Sequence, residues 1–240
     1  MKLFAHRGYS GHYPENTLAA FQAAARLPIY GVELDVHLTA DHELVVIHDE
    51  KINRTSNGKG FVKDMTLQQL RAFDYGSWFS EEFEGEVIPT LGEVLEVFSG
   101  THHQINIELK SDVFVYTGLE FLVLREIEAS KMMERVIISS FDHESVRRVA
   151  LLAPYVETAA LFSTIVLDVQ FYMKMIPAKA IHVSYYTAKR KPVREAIEAG
   201  LVVRVYTVND VEKLAILQEL GVDAIFTDEP VKMLAALGEV

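Results

Sequence analysis

Glu33 and Asp35 stand two residues apart in an apolar, β-branched run of Val32, Leu34 and Val36. In a strand, both carboxylates then face one side and the apolar side chains the other. Two acids on one strand face call for a cation. Glu108 and Lys110 repeat the spacing and bring a third carboxylate and an ammonium to a second strand. Three carboxylates in a chain with no cysteine make an all-oxygen site, which favours one divalent cation of the hard kind, Mg²⁺ or Ca²⁺, over zinc. Arg7 and Lys110 supply the positive charge that an anionic substrate oxygen requires. His48, which closes the apolar run 44–47, adds an imidazole able to move protons near neutral pH.

Stretch 31–49, GVELDVHLTADHELVVIHD, must position most of these groups. Its two apolar runs are separated only by a polar turn at 40–43, too short for the crossover of roughly a dozen residues that parallel strands need. The runs therefore form a hairpin. With the turn centred near Asp41, Leu34 lies opposite His48, which sets the imidazole beside Glu33 and Asp35. Elsewhere strand and helix alternate. Strands are expected at 3–6, 104–109, 136–140, 157–162, 180–184, 202–208 and 224–227. Helices are expected at 18–26, 115–130, 143–152, 168–175, 192–199, 211–220 and 231–237, with a further helix from the Thr90/Glu93 capping box through Phe98. With 44–48 set aside as the hairpin arm, the strands number eight, which predicts a (β/α)₈ TIM barrel. An open doubly wound sheet is the competitor, but the first turn lacks a glycine-rich dinucleotide pattern.

Residues 50–88 break the rhythm with four glycines, Trp78 and one short helix announced by Thr66 and Gln69. This segment is expected to be a small insertion after the hairpin, lying over one mouth of the barrel. Residues 1–240 are then a single domain, in line with the roughly 250 residues that such barrels use. Barrel enzymes carry their chemistry at the carboxyl ends of the strands. Those ends hold His6-Arg7, Glu33 and Asp35, Glu108 and Lys110, Ser139-Ser140, His182 and Tyr185, Tyr206 and Asn209, and Thr227-Asp228.

A net charge of −11 with acids spread along the chain argues against a nucleic-acid backbone or an anionic membrane as partner. The segment MKLFAHRG has no signal-peptide pattern, and no apolar run is long enough to span a bilayer. A cytoplasmic protein without stable membrane insertion is expected; the oligomeric state is not legible. His37 continues the Glu33 and Asp35 face and reads as a partly exposed strand histidine. His102 and His103 precede a strand and should be solvated at the opposite mouth. Phe141, Tyr185-Tyr186 and Trp78 read as packing residues.

His6-Arg7-Gly8, Pro14-Glu15-Asn16-Thr17, Glu33-Leu34-Asp35, His48-Asp49, Glu108-Leu109-Lys110 and Thr227-Asp228-Glu229-Pro230, in this order, resemble the glycerophosphodiester phosphodiesterase family. The resemblance implies a TIM barrel that hydrolyses glycerophosphodiesters, such as glycerophosphocholine or glycerophosphoethanolamine, to glycerol 3-phosphate and an alcohol. It implies that Glu33, Asp35 and Glu108 bind a divalent metal, that His6 and His48 are the acid–base pair, and that Arg7 and Lys110 hold the phosphate. Members of the family commonly show Trp-Thr-Val-Asn on a late strand, where this chain has Tyr206-Thr207-Val208-Asn209. Tyr206 therefore keeps an aromatic face for substrate binding and adds a hydroxyl. Two other functions fit the same residues less well. A lysophospholipid phosphodiesterase would need an apolar lid, and the insertion carries many acids beside its aromatics. A non-catalytic binder of phosphorylated metabolites would not need both histidines. Head-group preference, the metal, and which histidine acts as acid stay open.

Overall fold

Alternation begins with strand β1 (Lys2–Ala5) and helix α1 (Leu18–Ala24) in a computed structural model that describes residues 1–238. Thr17 starts that helix by accepting a bond from the Ala20 amide, which satisfies one of the otherwise unpaired donors of the first turn. β2 (Gly31–Leu38) and β3 (Leu44–Val46) follow, and residues 50–88 contain two 3₁₀ turns (Val62–Asp64 and Glu81–Phe83) around α2 (Leu67–Leu70). Thr66 with Gln69, and Thr90 with Glu93, form capping boxes that open α2 and α3 (Leu91–Val97). The remainder runs β4 (Gln104–Leu109), α4 (Leu119–Ala129), β5 (Val136–Ser140), α5 (His143–Leu152), β6 (Glu157–Phe162), α6 (Val169–Met175), β7 (Ala180–Ser184), α7 (Tyr185–Ala188), α8 (Lys191–Glu198), β8 (Val202–Tyr206), α9 (Glu212–Glu219), β9 (Ala224–Thr227) and α10 (Pro230–Leu237). α7 was not expected: Ser184 ends its strand and caps a helical turn at once by accepting from the Thr187 amide.

Pairing runs β1-β9-β8-β7-β6-β5-β4-β2, and β1 also pairs with β2, so eight parallel strands close into a TIM barrel. β3 lies outside it, antiparallel to β2, with Val36 opposite Val46 and Leu38 opposite Leu44. The expected hairpin is therefore present, and extending its register places Leu34 opposite His48. Outward residues such as Leu34, Ile105, Ile138, Val183 and Val203 are buried beneath the helices. Each contributes about 1.5–3 kcal/mol through removal of apolar surface from water. Inward residues near the base form a second layer, where Ala159, Ala180 and Ala224 leave room for Phe4 and Phe226. Higher in the barrel the same inward parity delivers Glu33, Asp35, Asn106, Glu108, His182, Arg204 and Tyr206.

β3 is apolar on both sides. Leu44 and Val46 join the main core, while Val45 and Ile47 join Ile52, Val62, Leu70, Tyr75 and Ile88 in a separate cluster. The 50–88 segment thus builds its own apolar cluster on the arm. Among the described residues, no helix is long and apolar enough to cross a membrane.

Candidate active site

Arg7 leaves β1 in the left-handed region, at φ 55°, a conformation that costs a side-chain-bearing residue about 1 kcal/mol or more. The turn aims its backbone N–H at Glu33 Oε2, 2.9 Å away. Asn16 donates to Asp35 Oδ2 at 2.9 Å, and Lys110 donates to Glu108 Oε1 at 2.8 Å. Glu33, Asp35 and Glu108 are buried, and each offers an oxygen such that the three atoms lie within 4.8 Å of one another. Each carboxylate thus has one oxygen held by the protein and a second oxygen beside it. With all three carboxyls ionised, Arg7 and Lys110 would set two positive charges against three negative ones, an excess that a cation would relieve. Burial, then repulsion from Asp35 and Glu108, pushes Glu33 well above the usual carboxylate range. Burial also raises Glu108, while Asp35 is held low despite burial, by Arg7 and then Lys110. An all-oxygen cluster of this size fits a hard divalent cation.

His6 and His48 are each oriented by an aspartate. Asp228 Oδ1 lies 2.7 Å from His6 Nδ1, with Ser10 and Asn209 fixing the carboxylate from behind. Asp49 Oδ1 lies 2.6 Å from His48 Nδ1. Against the cost of burial, the bonds from His6 to Asp228 and from Arg54 and His48 to Asp49 bring both acids down to about 2. They are therefore ionised near neutrality and can only accept. Both histidines carry hydrogen on Nδ1, which leaves Nε2 for proton exchange; His6 Nε2 is 3.9 Å from Glu33. Behind His48, Arg54 grips Asp49 at 2.8 and 3.0 Å and Glu15 at 2.7 and 2.8 Å. Glu15 in turn accepts from Arg7 at 2.7 Å, so one chain of alternating charges ties the two halves of the site together.

These groups border a chamber of about 160 Å³ at the carboxyl ends of the strands. Of the residues expected in the site, His6, Arg7, Glu33, His48, Glu108 and Tyr206 line it. Asp35 and Lys110 stand behind the wall, 3.9 Å apart, with the ammonium turned to Glu108. Tyr206 presents its ring and directs its hydroxyl away, to the Phe162 carbonyl at 2.9 Å. Phe141 meets that ring edge-on and lines the chamber too, so it does more than pack. His37 is fully buried, contrary to the expected partial exposure: one ring nitrogen is 3.0 Å from the Tyr116 hydroxyl and the other 3.1 Å from the His48 carbonyl. His103 is buried as well, its Nε2 3.0 Å from the Leu27 carbonyl, while His102 is exposed. Glu15, Asp49 and Asp228 belong to motifs legible in the sequence but carry no role there, and Arg54 belongs to none of them. The adjacency of His48 to Asp49 was the available signal for one of them; Glu15 and Arg54 are 39 positions apart and left none.

Comparison with known proteins agrees with this geometry. The profile of the Glycerophosphoryl diester phosphodiesterase family matches residues 6–232. A glycerophosphodiester phosphodiesterase of Bacillus altitudinis is 44% identical over 232 residues, 95% of either chain. One from Caldanaerobacter subterraneus subsp. tengcongensis is 41% identical over 228 residues, covering 95% of this chain and 94% of that one. A phosphodiesterase of Oleispira antarctica, solved in complex with the product sn-glycerol-3-phosphate, superposes with a TM-score of 0.89 at 31% identity, covering 99% of this chain and 97% of that one.

Proposed function

Because the chain belongs to the glycerophosphoryl diester phosphodiesterase family, and is a glycerophosphodiester phosphodiesterase, we propose that it hydrolyses glycerophosphocholine and glycerophosphoethanolamine to glycerol 3-phosphate and the alcohol, aided by one Mg²⁺ or Ca²⁺. The observation that carries this reading is the pair of aspartate-oriented imidazoles bordering the same chamber as Glu33 and Glu108 of a carboxylate triad. Glu33, Asp35 and Glu108 would hold the cation, which when bound neutralises phosphoryl charge and gathers the reacting oxygens. Arg7, from the chamber wall, and Lys110, from behind it, balance the phosphate charge, and Tyr206 packs against the glycerol half. The product bound by the Oleispira phosphodiesterase is the one this reading requires.

Glycerophosphodiesters carry a hydroxyl on the carbon next to the phosphate ester. A nucleophile already tethered there has a large effective-concentration advantage over water. In the proposed route that hydroxyl oxygen attacks phosphorus, and Nε2 of one histidine takes its proton. The bond to the head-group oxygen breaks, and Nε2–H of the other histidine protonates the departing alcohol. A cyclic phosphate remains, and water opens it with the two roles reversed. We read residues 1–240 as one domain with 50–88 as an insertion, which the anchoring of that segment on β3 supports. Turnover of a panel of glycerophosphodiesters, with Mg²⁺, Ca²⁺ or EDTA, tests the assignment; no turnover of any diester refutes it. An analogue lacking the neighbouring hydroxyl should bind yet turn over at least ~100-fold more slowly, and fast hydrolysis of it would favour direct attack by water.

A further inference from the structure

The chamber has a floor that the chemistry above leaves idle. His182, buried on β7, and Asn106, beside Glu33 in the β2–β4 register, both line it. Arg204 pairs with His182 in the β7–β8 register and points its Nη1 at His182 Nε2, 3.3 Å away. The guanidinium is itself fixed by Glu157 at 2.5 Å and Asp223 at 3.2 Å. Arginine offers donors only, so Nε2 must accept and the ring hydrogen sits on Nδ1. Burial, with the Arg204 charge, keeps that ring neutral by holding it well below the usual histidine range. The one hydrogen bond of the His182 side chain among the described residues is that to Arg204, so Nδ1–H is left to the chamber that the ring lines. Asn106 ties its amide nitrogen to Ser139 at 3.0 Å, and its Oδ1 is buried with no partner. Leaving one buried polar atom unpaired costs about 1–3 kcal/mol, so the floor is built for a polar group that comes with the ligand.

One donor and one acceptor describe the complement of a hydroxyl. A quaternary ammonium has no lone pair to accept from His182 and no hydrogen to give Asn106, and a primary ammonium can satisfy only the second. Leu161 and Phe226 close the floor around these groups, and Phe226 also packs on the His182 ring at 4.9 Å. We propose that His182, with Asn106, binds the terminal hydroxyl of the glycerol half of the substrate, seating glycerol inward and leaving the head group at the open mouth. The proposal rests on the hydrolytic reading above and makes His182 a specificity-determining residue. It also accounts for how one site accepts diesters whose alcohols differ in size and charge: the constant half fills the enclosed space.

The test compares kcat/KM for glycerophosphocholine and for 2-hydroxypropyl phosphocholine, which lacks the terminal hydroxyl and keeps the neighbouring one. A site that bonds a hydroxyl discriminates against its absence by about tenfold for one neutral bond, and by far more when buried partners are stranded. Wild-type protein should prefer the glycerol diester at least ~10-fold, and His182→Phe should bring the ratio to within about threefold of one. His182→Gln, which keeps a donor, should retain part of the preference. If these variants fold poorly, calorimetric binding of glycerol 3-phosphate against 2-hydroxypropyl phosphate to wild type should show the same preference. An unchanged ratio in His182→Phe, or equal binding of the two phosphates, overturns the proposal while leaving hydrolysis intact. A variant that instead alters the choice between phosphocholine and phosphoethanolamine diesters overturns it too, since the head group would then lie inward. Absence of turnover of either diester by wild type overturns the hydrolytic reading and this proposal with it.

Discussion

Replacing Asp49 by Asn isolates what the aspartate does for His48. Oδ1 stands 2.6 Å from Nδ1, a short bond between an ionised acceptor and an imidazole that must bear positive charge when it takes a proton. A hydrogen bond to a charged group contributes about 1.5–3 kcal/mol, and each 1.36 kcal/mol is a factor of ten in rate, which gives about 10- to 150-fold. Two features bear on where in that range the effect falls. His48 is 33% exposed, so water replaces part of the lost stabilisation. Against that, an asparagine can turn its NH₂ toward Nδ1 and drive the ring hydrogen to Nε2, the wrong tautomer for a base. We expect kcat on glycerophosphocholine to fall about 100-fold with KM within about threefold of wild type, because the lost interaction strengthens only as the proton moves. Steady-state kinetics on metal-saturated enzyme measure this, with thermal melting as the control for folding. A loss of less than about threefold in kcat would refute the claim that Asp49 orients and charges His48, and would point to Arg54 and Glu15 as mere surface pairing.

Asp228→Asn should produce a kcat loss of similar size through His6, and a normal kcat in that variant would break the symmetry argued for the two histidines. Glu33→Gln should weaken Mg²⁺ or Ca²⁺ binding and activity together, measured by calorimetry and turnover; unchanged affinity would remove Glu33 from the cation site. His37, His103 and His182 are each held below the ordinary histidine range by burial. A depressed group contributes stability that is complete above its unfolded value of about 6.5 and is lost as pH falls through and below it. The urea midpoint should therefore drop between pH 7.5 and 5.5, and drop less in His182→Phe; a flat wild-type profile would contradict the buried, neutral assignment.

Much of this architecture is written in local pattern. The turn near Asp41 and the two apolar runs around it are enough to set Leu34 against His48, and the observed pairing of His37 with Val45 keeps that register. Alternation along 104–110 likewise places Glu108 and Lys110 without further information. Harder to see were partners remote in sequence. Nothing near His37 announces that Tyr116, 79 residues on, will cover it, so a strand histidine beside acids looked half-exposed. The burial of His103 has the same kind of cause, since its partner carbonyl belongs to Leu27. Lys110 was expected to face the substrate, yet its ammonium turns to Glu108, because a buried cation seeks the nearest anion. His182 stands among the strand-end groups, and its pairing with Arg204 follows from parity, as both sit at inward positions of adjacent strands.

The two-sided arm β3 contributes to two apolar clusters, and separate clusters are expected to open with different free energies. The outer face of the barrel and the helices share one core, residues 50–88 share another, and β3 contributes side chains to both. One imidazole, His6, leaves a strand hydrogen-bonded on both flanks, whereas His48 rides on the last residues of the arm. A sub-global opening that frays the smaller unit, with a free energy below that of global unfolding, carries His48 away and leaves Glu33, Asp35 and Glu108 in place. Amide exchange in 44–88 should then outpace exchange in β2 and β4, and mild denaturant should silence the enzyme before the barrel loses its circular dichroism. Cation affinity and turnover would part company over that interval, the first belonging to the barrel and the second to both units at once.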